Sequence, residues 1–173
     1  MGELSQGIRL MAAVLVVLCG IPGAGKTTLA DALRGHRIGS DTLRAMVGTG
    51  EVGDYSDDSL VFELMTVIAR NHLARGRSVV IDATNPTPAL RHKWIRLASE
   101  SKVPAVVVHV ECSLARALQR NSERARSLAH AWVVDSAKAF EPPTSAEGFD
   151  GLFSVGADED IEALIEWIRA FDQ

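Results

Sequence analysis

Two stretches of the sequence hold residue types and spacings that can do chemistry. The first is Gly20-Ile-Pro-Gly-Ala-Gly-Lys-Thr27, which fits G-x-x-x-x-G-K-[ST]. Gly20, Gly23 and Gly25 permit a tight turn in which successive N–H groups point into one concavity. Pro22 and Ala24 complete the loop, and Thr28 stands in the first turn of the helix that opens behind it. That helix start adds partial positive charge at the same place. Such a loop cradles the phosphates of ATP, with Lys26 reaching the β- and γ-phosphates and Thr27 placed to ligate magnesium. A glycine-rich turn without a ligand is the alternative, but the apolar run before the loop and the helical pattern after it fit phosphate binding. A carboxylate is then needed near the metal, and Val79-Val80-Ile81-Asp82 supplies one at the end of a β-rich run. An aspartate that merely caps a turn reads the same way locally.

The second stretch is Ser40-Asp-Thr-Leu-Arg44. A carboxylate can hold a hydroxyl in line with a γ-phosphate and accept its proton, which suits Asp41. Arg44, one helical turn on, can hold an anionic group of the same acceptor. The plainer alternative is a helix cap at Ser40 or Asp41 with Arg44 on the surface. Further along, Arg116, Arg120 and Arg124 recur at intervals of four, a single stripe if one helix carries them all. Glu123 can pair with these arginines, so a solvated charged face fits too. Arg91, Lys93 and Arg96 form a second basic patch, which can line an acceptor channel, though a surface helix is the expected place.

The elements that must position these residues alternate between strand and helix. Strands are expected at 14–19, 37–39, around 79–82, 105–110 and 152–155. Helices are expected at 25–34, 42–47, 58–75, 90–99, 113–126, 131–140 and 158–171, with a Pro/Gly-rich loop at 141–151. This pattern predicts an α/β fold of three layers, a parallel sheet of about five strands with helices on both faces. Ligands of such sheets sit beyond the carboxyl ends of the strands, where Gly20, Asp41 and Asp82 all fall. The 173 residues suit one domain over 12–173, with 1–11 a flexible tail and Met11 a second candidate start. The run Leu10–Gly20 imitates a secretion signal, but Leu18 before Cys19 is too large for a cleavage site, and a buried first strand explains the run better. Net charge is −4, which counts against a general affinity for nucleic acid while allowing a small basic pocket. Two cysteines without metal or disulfide spacing, and no stretch long enough to span a membrane, fit a cytoplasmic protein.

Four pieces together, "GIPGAGKTT", "SDTLR", "DATN" and "RNSERAR…FEPPTSAEGFD", resemble the 5′-OH polynucleotide kinase family: the phage end-healing enzyme, the kinase module of bacterial RNA-repair proteins, and their single-domain relatives. The resemblance spans residues 13–155. It implies an adenylate-kinase-like P-loop NTPase fold that takes ATP and Mg2+ and phosphorylates a 5′-OH. It also implies that Asp41 is the general base and that Arg44 contacts the phosphate beside the reactive hydroxyl. A lid around 113–140 would bring Arg120 and Arg124, with Arg126 as a further candidate, to ATP and the transferring phosphate. The chain departs from the repair proteins in carrying no phosphatase or ligase domain. It is also acidic and shows no basic groove with interleaved aromatics. These departures point to a nucleoside phosphate or a short 5′ end rather than long nucleic acid. The same core resembles small-molecule kinases for gluconate, adenylylsulfate and chloramphenicol and the zeta-toxin kinases, so a metabolite or antibiotic acceptor is the alternative. A regulatory ATPase is a third reading, disfavoured because a switch needs no acceptor base at Asp41.

Overall fold

The structure, a computed structural model, describes residues 13–33, 35–48, 51, 53–125, 127–156 and 161–171. The expected tail at 1–11 lies outside them. Five strands, β1 (Leu15–Cys19), β2 (His36–Gly39), β3 (Val79–Asp82), β4 (Ala105–Glu111) and β5 (Gly151–Gly156), form one sheet in the order β2-β3-β1-β4-β5. Every pairing is parallel, with Val16 beside Val80 on one side and Val106 on the other. The helices are α1 (Lys26–Ala32), α2 (Ser40–Val47), α3 (Asp58–Leu73), α4 (Pro88–Ser101), α5 (Leu114–Ser122), α6 (His130–Lys138) and α7 (Ile161–Arg169). Among the described residues, no helix is long and apolar enough to cross a membrane.

The three layers follow from the period of two in β1, whose five residues are all buried. Leu15 and Val17 join a core cluster with Leu43 of α2, Met65 of α3 and Trp94 of α4. Val16 and Leu18 join the opposite cluster with Leu29 of α1, Ala117 of α5 and Leu164 of α7. The expected three-layer α/β architecture is therefore present, with boundaries shifted by a few residues.

The basic patch expected at Arg91, Lys93 and Arg96 does not form. Arg91 is fully buried: it shares one face of α4 with Trp94, Leu97 and Ala98, and that face meets the core. Its Nε and Nη2 donate to Glu147 at 2.8 and 2.7 Å, and its Nη1 donates to the carbonyls of Asn85 and Glu141, each at 2.9 Å. Burial alone would raise the Glu147 pKa, but hydrogen bonds from Arg91 and the Thr144 backbone outweigh it and hold the carboxyl low. Lys93 lies half-buried with its ammonium 3.6 Å from the Phe62 ring centre, and burial lowers its pKa to about 8. Only Arg96 stands exposed.

Arg91 also organises the loop at 141–150. Glu147 ends a short 3-10 turn, Ser145–Glu147, closed by a capping box with Thr144. Asn85, at φ 44, accepts from the Trp94 indole N–H at 2.9 Å and donates to the Leu18 carbonyl at 2.6 Å. The "DATN" segment thus ties the end of β1 to α4, and Gly20 N–H donates to the Thr84 carbonyl beside it.

Candidate functional site

The glycine-rich loop leaves β1 and enters α1 as its spacing predicts. Gly23 is at φ +88, and a Cβ there would lie 2.5 Å from the Ala117 carbonyl oxygen, so a side chain has neither the backbone conformation nor the room. Gly25, at φ +104, caps α1 and leaves space for Arg120. Arg120 Nη1 donates to the Ala24 carbonyl at 3.0 Å, docking the end of α5 on the loop. Lys26 is buried, and its ammonium donates to the carbonyls of Gly20 and Ile21 at 2.8 and 2.9 Å. Burial lowers its pKa to about 8, partly offset by Asp82.

Thr27 Oγ1 donates to Asp82 Oδ2 at 2.9 Å, across 55 residues of sequence. Asp82 is buried, and burial raises its pKa against the Thr27 hydrogen bond and the charges of Lys26 and Arg37. The hydroxyl and carboxylate oxygens are hard donors of the kind magnesium takes. A cation there would relieve the desolvated carboxylate, so the residues present fit the metal. Arg37, not singled out in the sequence, places its Nε 3.7 Å from Asp82 and pairs with Asp31.

On the opposite side, α2 begins at Gly39 without a side-chain cap, so neither Ser40 nor Asp41 plays the capping role. Asp41 is 92% exposed, and Arg44 Nη1 meets its Oδ1 at 2.5 Å. Arg44 itself is only 14% exposed. Its Nε and Nη2 meet Asp58 Oδ1 at 2.8 and 2.7 Å, and its guanidinium lies 4.7 Å above the Tyr55 ring. Arg44 is therefore a fixed group rather than a free surface residue.

The arginine stripe is broken. Helix α5 stops at Ser122 because Asn121 exchanges two hydrogen bonds with the Leu128 backbone, at 2.8 and 3.0 Å, which folds the following segment back. Arg116 and Arg120 remain on the helix, while Arg124 lies past its end. Glu123 accepts from Gln119 at 3.1 Å. Arg126 lies outside the described residues.

One cavity of about 320 Å³ gathers Lys26, Thr27, Asp82, Asp41, Arg44 and Arg124. Pro22, Gly23 and Gly25 contribute to its wall. Thr28 is exposed at the start of α1 and does not line it. Sequence reasoning missed Arg37, Tyr55 and Trp132, which line the cavity too. Arg37 stands two residues before the end of β2 and had that weak positional signal; Tyr55 and Trp132 meet across 77 positions and had none.

Comparisons with known proteins agree with this architecture. A family model described as "AAA domain" matches residues 15–143. The bifunctional polynucleotide phosphatase/kinase of Schizosaccharomyces pombe is 30% identical over 152 residues. That alignment covers 82% of this chain, and the chain spans about a third of the relative's length (33%). Among solved structures, Chaetomium thermophilum Kti12 in complex with ADP-AlF3 superposes with a TM-score of 0.75 at 19% identity, covering 92% of this chain and 99% of that one. The Mycobacterium tuberculosis APS kinase CysC, with AMPPNP and APS, reaches a TM-score of 0.64 at 14% identity, covering 92% and 97%. The fold is that of P-loop kinases.

Proposed function

The chain belongs to the AAA domain family, and from that premise we propose that it transfers the γ-phosphoryl group of ATP to a hydroxyl, preferentially the 5′-OH of a nucleoside phosphate or nucleic-acid end. One observation carries the reading: the Thr27–Asp82 pair and the Asp41–Arg44 pair face a single cavity. The likeness to a polynucleotide phosphatase/kinase supports the choice of acceptor.

In this reading the loop from Gly20 to Thr28 binds the phosphates. Lys26 exchanges the carbonyls of Gly20 and Ile21 for phosphate oxygens. Thr27 and Asp82 hold magnesium, which when bound neutralises charge on the β- and γ-phosphates. Asp41 aligns the acceptor hydroxyl and takes its proton. Arg44 grips the neighbouring phosphate, and Asp58 and Tyr55 hold its guanidinium in place. Arg120 and Arg124 face the charge that develops on the transferring oxygens, as parts of a lid around 113–140 on a single domain over 12–173.

Incubation with labelled ATP and separate pools of oligonucleotides, nucleoside 3′-phosphates and sugars tests the assignment. Asp41→Asn is expected to keep ATP binding and to lose transfer by about a hundredfold to ten-thousandfold. Unchanged transfer in Asp41→Asn removes that residue from the chemistry. A metabolite acceptor is the second reading, favoured by Glu51, Asp54 and Asp57, which also line the cavity and disfavour a run of phosphates.

A further inference from the structure

Tyr55 and Trp132 stack directly on each other at the wall of the cavity, with ring centres 4.9 Å apart and planes within 9°. They come from different walls: Tyr55 from the segment between α2 and α3, Trp132 from α6. The second face of Tyr55 carries the Arg44 guanidinium at 4.7 Å. Neither ring belongs to either core cluster, unlike Trp94, which is buried among apolar groups, or Trp167, which packs against the second cluster. Two large aromatic faces are thus held at a polar cavity rather than used to fill the interior, an uncommon placement outside a ligand site. Burial raises the Tyr55 pKa to about 12, so its phenol stays neutral.

The geometry points to an aromatic subsite, formed by Tyr55 and Trp132, that holds the base of the acceptor nucleotide. The inference rests on the proposed transfer to a nucleoside phosphate and names the part of the acceptor that the polar residues leave unassigned. Arg44 meets Asp41 and stacks on Tyr55, so the carboxylate, the guanidinium and the ring pair adjoin one another, as the hydroxyl, the phosphate and the base of one nucleotide do. The base inserts between the rings as α6 gives way by the thickness of one ring, and the single stack of ring on ring is replaced by two, one on each face of the base. The acceptor base is favoured over the donor base because Tyr55 carries Arg44, which pairs with Asp41. The opened stack takes one base, so the subsite reads the terminal nucleotide alone. It tolerates any base, because every base has a π-face.

The test uses the full chain, ATP, and two acceptors with the same hydroxyl and phosphate: a nucleoside 3′-phosphate and its abasic ribose counterpart. Tyr55→Ala and Trp132→Ala should each raise KM for the base-bearing acceptor roughly tenfold to a hundredfold. In Trp132→Ala, KM for the abasic acceptor and the Kd for ATP should stay unchanged, and Trp132→Phe should restore most of the loss; in Tyr55→Ala, which also removes the ring under Arg44, KM should rise more for the base-bearing acceptor than for the abasic one. Trp132→Leu, which keeps apolar volume without a ring face, should behave as Trp132→Ala and guards against simple misfolding. Equal change on both acceptors, or no change on either, overturns the subsite while leaving the nucleotide kinase reading in place. A loss of ATP affinity instead assigns the rings to the donor and overturns it as well. Wild-type protein that phosphorylates sugars and no nucleoside phosphate overturns both readings.

Discussion

The cavity has two walls built from different material. On the donor wall, Lys26 and Asp82 are buried, and their partners are the carbonyls of Gly20 and Ile21 or the Thr27 hydroxyl. On the acceptor wall, Asp41 is 92% exposed and meets the guanidinium of Arg44, which in turn is held by Asp58 and a phenol ring. The first wall is made largely of backbone, so its shape is set by three glycines and a strand end. The second is made of side chains, each replaceable without disturbing the sheet. In the proposed reading, phosphate binding is therefore built into the fold, whereas acceptor choice is carried by a few exchangeable groups.

The contrast can be broken first at Lys26. Lys26→Ala is expected to abolish transfer, by a thousandfold or more on the order of other phosphate-clamp cations, while circular dichroism shows the fold retained. Arg120→Ala and Arg124→Ala should each approach the same size of loss in single-turnover rates; wild-type rates in both would leave Arg120 a structural clip on the loop and Arg124 a charge without a part in transfer. Next in size is a position remote from both walls. Arg91→Ala takes the buried donor away from the Glu147 carboxylate and from the carbonyls of Asn85 and Glu141, and chemical denaturation should show a loss of about 3–5 kcal/mol. An acceptor-wall change should be smaller and selective. Arg44→Ala should raise KM for a phosphorylated acceptor by the worth of one charge-assisted contact, about 1.5–3 kcal/mol, and leave an uncharged sugar nearly untouched. Equal losses on both acceptors would mean that Arg44 merely braces α2.

A last effect, read as a slope in pH, sharpens the donor side. The Lys26 pKa is lowered to about 8 in the folded, ATP-free protein against an ordinary value of 10.5. Below pH 8 both states carry the proton, and the buried charge costs stability in full. Between pH 8 and 10.5 the unfolded chain holds more protons than the folded one, so stability rises with pH. Relative to Lys26→Met, wild-type protein should gain at most about 1.4 kcal/mol per pH unit across that window. A constant difference between the two proteins from pH 7 to 10 would show that the ammonium is not desolvated.

Legibility from sequence divides along the same line. The phosphate loop is contiguous, and Asp82 sits at the end of a visible strand, so both can be read directly. The three layers are readable because the strands are short apolar runs and the helices amphipathic. Arg91 is misplaced when charge is given more weight than period: it stands at i with Trp94 at i+3 and Leu97 at i+6, the buried stripe of α4. Its partner Glu147 is 56 residues away, and no local pattern announces it. Propensity puts Arg124 on a helix that Asn121 ends by bonding to Leu128, a closure that propensity does not record. Asp41 and Arg44 are legible as a pair, but their carboxylate and ring neighbours are tertiary facts.

The position of β1 in the sheet has a kinetic consequence. Its ladder partners are Val79–Ile81 and Ala105–His109, and β2, the next strand in the chain, is not among them. During synthesis the run Leu-Val-Val-Leu-Cys therefore emerges early and finds its hydrogen bonds late, after β3 and then β4 have been made. Closing such long loops before any ladder forms is slow, and the uncovered apolar strand is meanwhile open to wrong pairings. The phosphate loop hangs from this strand, so nucleotide competence cannot precede closure of the sheet. ATP present during refolding would bind only molecules that have crossed that barrier, and would act as a trap for the finished fold rather than as a template for it.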